Sequence, residues 1–196
     1  MYKFLLFLFA VCLLNNSCAQ KDISYPAGLS IDPGIEKIVK LKKDINVFKV
    51  EHFINDTISK MPLFNTANKL ALTALTTIDK GDTVLMFVGM MIPWGFYINL
   101  KSPEPEIGTM VSSRSCKCFK ESLSKTELSY GAGIRSDSFT LVLNKVNDIK
   151  VGDKIYGYLK TKGGDIYHFP RIQDSYEKWN FQYEGFFMAE FKAVEF

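Results

Sequence analysis

Alternating hydrophobic and polar positions predict that most of this chain forms β-strands. The alternation is clearest where Trp94, Phe96, Ile98 and Leu100 are separated by single residues, as in a strand with one buried face. Seven or more such segments, separated by Gly and Pro turns, favour an antiparallel arrangement of two packed layers. We therefore predict a mostly β fold, an antiparallel β-sandwich-like single domain with up to two helices, and an α+β domain is the alternative.

The predicted strands follow one another from residue 35 to the end of the chain. They cover residues 35–41, 45–53, 83–91, 94–100, 109–119, 125–130, 139–146, 154–162, 165–169 and 181–196. Gly163-Gly164 separates two of these segments, and this pair predicts a two-residue hairpin turn between them.

Two further segments fit a helix as well as a strand. Within residues 50–59 the apolar side chains fall on one helical stripe, so a helix there competes with the strand at 45–53. Residues 66–78 follow the helical period closely, and a helix is the expectation. A strand is the alternative, because residues 70–82 weakly repeat the pattern of residues 141–153, which begins in a strand-like segment.

The first twenty residues have the layout of a secretory signal peptide. Lys3 precedes an unbroken apolar run over residues 4–14, and residues 15–19 form a short exit that contains small residues. The apolar run is too short to cross a bilayer, which takes about 20 residues. Ordinary signal peptidase would cut after Ala19 and release a soluble chain without Cys18.

Ser17-Cys18 also resembles the lipobox of bacterial lipoproteins, with Leu14 one residue further from the cysteine than is usual. The resemblance implies that the peptide is cut before Cys18 and that fatty acids on this residue hold the protein on a membrane. Residues 19–22 look like the start of lipoproteins from Bacteroidota, which implies an outer-membrane lipoprotein that faces the periplasm or the cell surface. We expect a signal peptide over 1–17, a lipidated N-terminus and linker over 18–34, and one β-rich domain over 35–196.

Composition and charge narrow the range of partners. The 24 basic and 21 acidic residues give a net charge of +3, and removal of Lys3 with the signal peptide lowers it to +2. So small an excess predicts no surface for nucleic acid. Aromatic residues make up 14% of the chain, which suits a β-rich extracytoplasmic domain.

Cys116-Lys117-Cys118 is the most reactive-looking stretch of the sequence. In a regular strand both thiols and Arg114 would share one face, and a nearby cation favours the thiolate. A disulfide needs a turn or bulge there, because alternate Cα atoms of a strand lie about 6.5–7 Å apart. We favour structural thiols or a structural disulfide over redox chemistry or a metal site, since only His52 and His168 offer imidazole ligands.

A second group of candidate residues combines aromatic rings with His168 and a cation. Such a set suits a shallow site for a sugar or an aromatic ligand, and burial of the rings for packing is the alternative. The candidates are Trp94, Tyr156, Tyr158, His168, Arg171 and Trp179.

The sequence contains none of the common catalytic motifs, such as Gly-x-Ser-x-Gly, His-Glu-x-x-His or a phosphate-binding glycine loop. We therefore predict no catalytic residue, cofactor or metal, and expect a membrane-anchored, non-catalytic module that binds a glycan or a protein. A hydrolase of glycan or cell-wall material is one alternative, and would show two carboxylates across a cleft. An inhibitor or immunity-type protein is the other, and would show a large exposed apolar patch.

Overall fold

The computed structural model describes residues 28–59, 69–79, 82–89, 94–100, 105–170 and 175–191, which form a mostly antiparallel β domain. These residues contain one helix, α1 (Ile35–Lys40). Their strands are β1 (Leu29–Ile31), β2 (Val47–Ile54), β3 (Thr57–Ile58), β4 (Lys69–Ala71), β5 (Thr73–Asp79), β6 (Asp82–Val88), β7 (Trp94–Asn99), β8 (Glu106–Ser112), β9 (Phe119–Lys120), β10 (Gly131–Leu143), β11 (Lys154–Gly163), β12 (Ile166–His168) and β13 (Glu177–Glu190). No helix in this part of the chain combines the length and the hydrophobicity required to span a membrane.

The strands form one curled sheet whose two halves share β10. The order is β3-β2-β13-β11-β10-β8-β7-β6-β5. The first part of β10, residues 131–135, pairs with β8, and its second part, residues 136–143, pairs with β11. Because β10 changes partners along its length, the sheet folds over on itself. The predicted mostly β, antiparallel, single-domain fold is confirmed.

Aromatic rings from both halves of the sheet meet in the core. The Phe48 ring of β2 lies 4.9 Å from Phe96 of β7 and 5.6 Å from Phe87 of β6, measured between centroids. Phe87 also contacts Phe187 of β13 at 5.1 Å, and all four rings are fully buried. Each such ring contributes on the order of 2–3 kcal/mol through burial, so these contacts hold the two halves together.

The strand predicted at residues 35–41 is wrong, because Ile35–Lys40 is the helix α1. Ile35 and Val39 lie four residues apart on one face of α1 and are buried against the sheet, as the helical period requires. The Lys40 ammonium pairs with Glu36 at 2.5 Å, an i,i+4 contact that a strand cannot make.

The helix expected at residues 66–78 is also wrong in the described part, which forms β4 and β5. Leu70, Leu72 and Ala74 face the core, and this spacing of two is that of a strand. Leu75, which the helical pattern placed on the buried stripe, is 46% exposed. For residues 50–59 the strand alternative is confirmed, since β2 continues to Ile54.

Gly163-Gly164 does not form the predicted hairpin, because β11 and β12 do not pair with each other. β11 pairs with β10 and β13, and β12 pairs with β9 and β13. Gly164 instead donates its N–H to the Arg135 carbonyl oxygen at 3.2 Å. A Cβ on Gly164 would stand 2.7 Å from that oxygen. Gly164 therefore allows a close approach to β10, and Gly163 a close approach to Thr109 of β8 and to the Phe181 carbonyl oxygen of β13.

Several predicted strands have different bounds in the structure, and the strand predicted at 139–146 begins much earlier, at Gly131, and ends at Leu143. The strand predicted at 109–119 ends at Ser112, and the chain bends before β9. Residues 125–130 form no strand, and among the described residues they make one isolated bridge, between Ser129 and Phe119. The last strand ends at Glu190 and residues 192–196 lie outside the described part. Within the predicted linker, Leu29–Ile31 forms β1 and pairs in parallel with β10.

Candidate functional site

Two groups of side chains are candidates for function, and they lie on opposite faces of the sheet. The first, which we call the histidine cluster, is inside the fold near β2, β12 and β13 and contains His52, Trp94, His168, Glu177, Trp179 and Phe181. The second, which we call the outer groove, crosses the solvent face of β2, β13, β11 and β10.

His52 is the centre of the histidine cluster. Its side chain faces inward from β2 and is 1% exposed. The imidazole stacks on Phe181 with 4.5 Å between ring centroids, and meets Trp179 edge-on at 5.0 Å. Trp94 lies parallel to it at 6.5 Å. Neither ring nitrogen has a hydrogen-bond partner in the described part of the chain.

Burial decides the protonation state of His52. Removal from water lowers the pKa of His52 by more than the Glu177 carboxylate raises it, and the neighbouring His168 adds a smaller lowering, so that the pKa is about 4. The imidazole is therefore neutral at pH 7, and it behaves there as a flat polar ring within an aromatic core.

Glu177 organises the more exposed part of the cluster. One of its carboxylate oxygens, Oε2, lies 3.2 Å from His168 Nδ1 and accepts a hydrogen bond from Trp179 Nε1 at 2.9 Å. The His168 and Trp179 rings are 4.2 Å apart. A single carboxylate thus fixes both rings, and the cluster is tightly packed.

A disulfide joins Cys116 and Cys118 next to this cluster. The Cα atoms are 5.5 Å apart, within the range of a disulfide, because residues 113–118 leave the extended conformation after β8. Phe119, the next residue, contacts His168 at 5.3 Å. The disulfide closes a loop of three residues, and loop-closure entropy then stabilises the fold by only ~1.6 kcal/mol, against about 3 kcal/mol for a 15-residue loop.

The outer groove has a volume of about 320 Å³, at the small end of the range for ligand pockets. Its lining residues come from four neighbouring strands, and five of them are charged. The lining residues are Lys49, Glu51, Ser138, Phe139, Thr140, Lys160, Thr161, Lys162, Gln182, Tyr183 and Glu184.

Ion pairs hold the groove side chains in place. Lys49 Nζ lies 2.7 Å from Glu51 Oε1, and Lys160 Nζ lies 3.4 Å from Glu184 Oε2. The Tyr158 hydroxyl donates to Glu184 Oε1 at 2.9 Å. This hydrogen bond, with Lys160, lowers the pKa of Glu184, while burial and Glu184 raise the pKa of Tyr158 to about 12. Glu184 is therefore a stable carboxylate at neutral pH.

An aromatic platform, Tyr158 and Phe186, adjoins the outer groove. The two residues face each other across β11 and β13 with 5.1 Å between centroids, two register positions along from Lys160 and Glu184 and on the same face of the sheet. Both rings are half-buried. The groove therefore offers hydrogen-bonding groups and, beside them, two half-buried aromatic rings that pack against the cluster under α1, with the Lys42 ammonium 4.7 Å from the centre of the Phe186 ring.

The structure divides the aromatic residues that the sequence grouped together. Trp94, His168 and Trp179 belong to the histidine cluster. Tyr156 and Tyr158 lie on the other face of the sheet, where Tyr156 packs against α1 and is 9% exposed. The reason is the alternation along β11, which directs Tyr156 and Tyr158 away from the core.

Two predicted residues, Arg171 and Cys18, lie outside the described part of the chain. Sequence reasoning missed His52 as the centre of a cluster and Glu51 and Glu184 as groove residues. The alternation of Phe48, Val50 and His52 in the predicted strand carried a signal for His52, since it places all three side chains on one face.

Across the described ranges, no group of three or more His, Cys, Asp or Glu side chains could hold a metal ion. We compared the chain with protein-family models, with curated proteins and with solved structures. None of the three comparisons finds a match.

Proposed function

We propose that this chain is a membrane-anchored extracytoplasmic lipoprotein whose β domain is a non-catalytic module that binds glycan chains in the outer groove. The observation that carries the proposal is the combination of that groove with the platform of Tyr158 and Phe186. Sugars have hydroxyl groups that need charged or amide partners, and they have C–H faces that pack on aromatic rings.

The chemistry of the groove suits a polar, uncharged ligand. The lining contains three lysines and two carboxylates, and two of the lysines pair with the carboxylates, Lys49 with Glu51 and Lys160 with Glu184. A strongly charged ligand would have to break such pairs. A sugar hydroxyl can donate to Glu184 and accept from Lys160 with the pair intact, and hydrogen bonds to charged groups are the stronger ones in proteins.

The disulfide supports the extracytoplasmic part of the proposal. Disulfides persist in oxidising compartments outside the cytoplasm, and Cys116–Cys118 is compatible with the export that the signal-peptide pattern of residues 1–20 predicts. Lipidation of Cys18 is the part of the proposal that rests on the sequence alone.

Affinity electrophoresis tests the groove as a glycan site. The protein is run through native gels that contain laminarin, mannan or solubilised peptidoglycan fragments, and at least one glycan is expected to retard it. Lys160→Ala removes a donor from the groove and is expected to weaken binding about tenfold, the effect of losing one charge-assisted hydrogen bond.

Lys125→Ala is the matched control, because Lys125 makes an equally exposed ion pair with Glu121 away from the groove. Its retardation is expected to equal that of the unchanged protein. Binding that both substitutions weaken to the same extent, or the absence of retardation by every glycan, would count against the groove.

The structure also favours one second candidate function, glycan hydrolysis. Glu51 and Glu184 both line the groove, and two carboxylates are the usual requirement of a glycosidase. The lowered pKa of Glu184 suits a nucleophile or base but not a general acid. Release of reducing ends during the same incubations, abolished by Glu184→Gln, would support the hydrolase.

A further inference from the structure

The Cys116–Cys118 disulfide takes no part in the outer groove, and its two sulfur atoms have different environments. Cys118 is 2% exposed and belongs to the core, whereas Cys116 is half-buried in the bend that follows β8. An incoming thiolate can therefore reach the Cys116 sulfur far more easily than the Cys118 sulfur. Because the disulfide closes a loop of only three residues, it also adds little to the stability of the fold.

The groups around the disulfide can accommodate both cysteines after reduction. The Ser113 hydroxyl lies 3.2 Å from Cys116 Sγ, where it can donate a hydrogen bond to a thiolate. Arg114 and Lys117 are exposed beside the pair, and cations favour thiolates. Cys118 Sγ lies 3.7 Å from the Cys116 carbonyl oxygen, which can accept the hydrogen of a buried thiol.

From this geometry we propose that Cys116–Cys118 is an exchangeable disulfide that oxidises a dithiol on a protein or peptide. One thiolate of the dithiol attacks Cys116 Sγ, which breaks the disulfide. Cys118 leaves with the electron pair and takes up a proton. The second thiolate then attacks the sulfur now bonded to Cys116, and Cys116 leaves as a thiolate. The dithiol becomes a disulfide and loses two electrons and two protons. Both electrons pass to the chain, one proton is held by Cys118, and the other is released to solvent because Cys116 remains a thiolate.

A native-state reduction assay tests this reaction. The oxidised, folded protein is mixed with one equivalent of a reduced peptide that carries two cysteines, quenched with acid, alkylated with maleimide and mapped by mass spectrometry. We expect one peptide disulfide per protein molecule and alkylation of both Cys116 and Cys118, with an unchanged near-ultraviolet circular dichroism spectrum. A disulfide that reacts only after denaturant is added would overturn the proposal.

Single substitutions test the difference between the two sulfur atoms. Cys118→Ser leaves the accessible thiol, and it is expected to form a mixed disulfide with oxidised glutathione at least tenfold faster than Cys116→Ser, whose remaining thiol is buried. Equal rates would overturn the assignment of Cys116 as the attacked atom. The assay on the unchanged protein decides the proposal even where a substitution impairs folding.

Discussion

At the scale of single residues, His52 is the most unusual feature of this fold. A buried polar group without a hydrogen bond costs about 1–3 kcal/mol of stability, and both ring nitrogens of His52 lack a partner in the described part of the chain. The stacking on Phe181 and the edge contact with Trp179 offset part of that cost. The neutral imidazole is tolerated there, and a charged one is not.

This burial predicts a loss of stability in mild acid. His52 has a pKa of about 4 in the folded protein and about 6.5 in the unfolded chain. Between these values only the unfolded chain binds the proton. Protonation of His52 therefore takes nothing from the free energy of unfolding above about pH 6.5. As the pH decreases to 4, the free energy of unfolding falls by about 2–3 kcal/mol.

His52→Phe removes the titrating group and keeps a flat ring. We expect its free energy of unfolding, measured with urea at pH 7, 6, 5 and 4, to fall less steeply with acid than that of the unchanged protein. His168→Gln is the control, because it removes the other histidine and keeps His52; His168 has the smallest of the three effects on the pKa of His52, so most of the steep dependence should remain. Identical pH profiles for His52→Phe and the unchanged protein would show that His52 has little effect on acid stability.

At the scale of elements, the connection from β11 to β12 depends on close contact between its backbone and that of β10. Gly164 is buried, and the space that a Cβ would need is taken by the Arg135 carbonyl oxygen at 2.7 Å. That oxygen belongs to β10 at the point where this strand changes partners from β8 to β11. Neither backbone can move without disturbing the pairing that joins the two halves of the sheet.

Gly164→Ala should therefore destabilise the protein by about 1–3 kcal/mol, the usual cost of overpacking. Gly133→Ala is the matched control in β10, because a Cβ there meets no atom within 4 Å. It is expected to be neutral or to stabilise by up to about 1 kcal/mol, since alanine restricts the unfolded chain. Urea unfolding measures both, and equal costs would contradict the contact with Arg135.

At the scale of the whole molecule, the sequence predicts the fold class because strand alternation is a local signal. It fails where two periods overlap: residues 35–41 and 66–78 each contain apolar residues spaced for a helix and for a strand. Packing against the rest of the sheet decides between them, and no local pattern reports that packing. Long-range pairing explains the Gly163-Gly164 error in the same way.

The candidate sites were harder to predict than the fold. The outer groove is built from short stretches of β2, β10, β11 and β13, which are far apart in sequence, and its charged side chains come from alternate residues of these strands. In the sequence, lysines and glutamates at such positions look like those of any solvent-exposed strand face, because only the strand pairing shows that they lie side by side. Tyr158 was found through its residue type, but its true neighbours are Phe186 and Glu184 rather than His168.

If Cys18 is lipidated, only a short segment of the chain connects the lipid to the β domain. Ten residues lie between Cys18 and Leu29, the first residue of β1, and the eleven steps from one Cα to the next span at most about 40 Å. The β domain would then stay close to the membrane surface, and the outer groove would bind ligands that lie in the envelope near that surface. Two or more acyl chains would make this residence effectively permanent.

Intact mass and N-terminal peptide mapping of the protein from membrane and soluble fractions test this anchor. We expect a chain that begins at an acylated Cys18 in the membrane fraction, because the cysteine follows the apolar run as in a lipobox. Cys18→Ser should move the protein to the soluble fraction and leave its circular dichroism spectrum unchanged. A mature chain that begins at Gln20 would instead indicate signal peptidase cleavage and a diffusible protein, and the glycan site would then act away from the membrane.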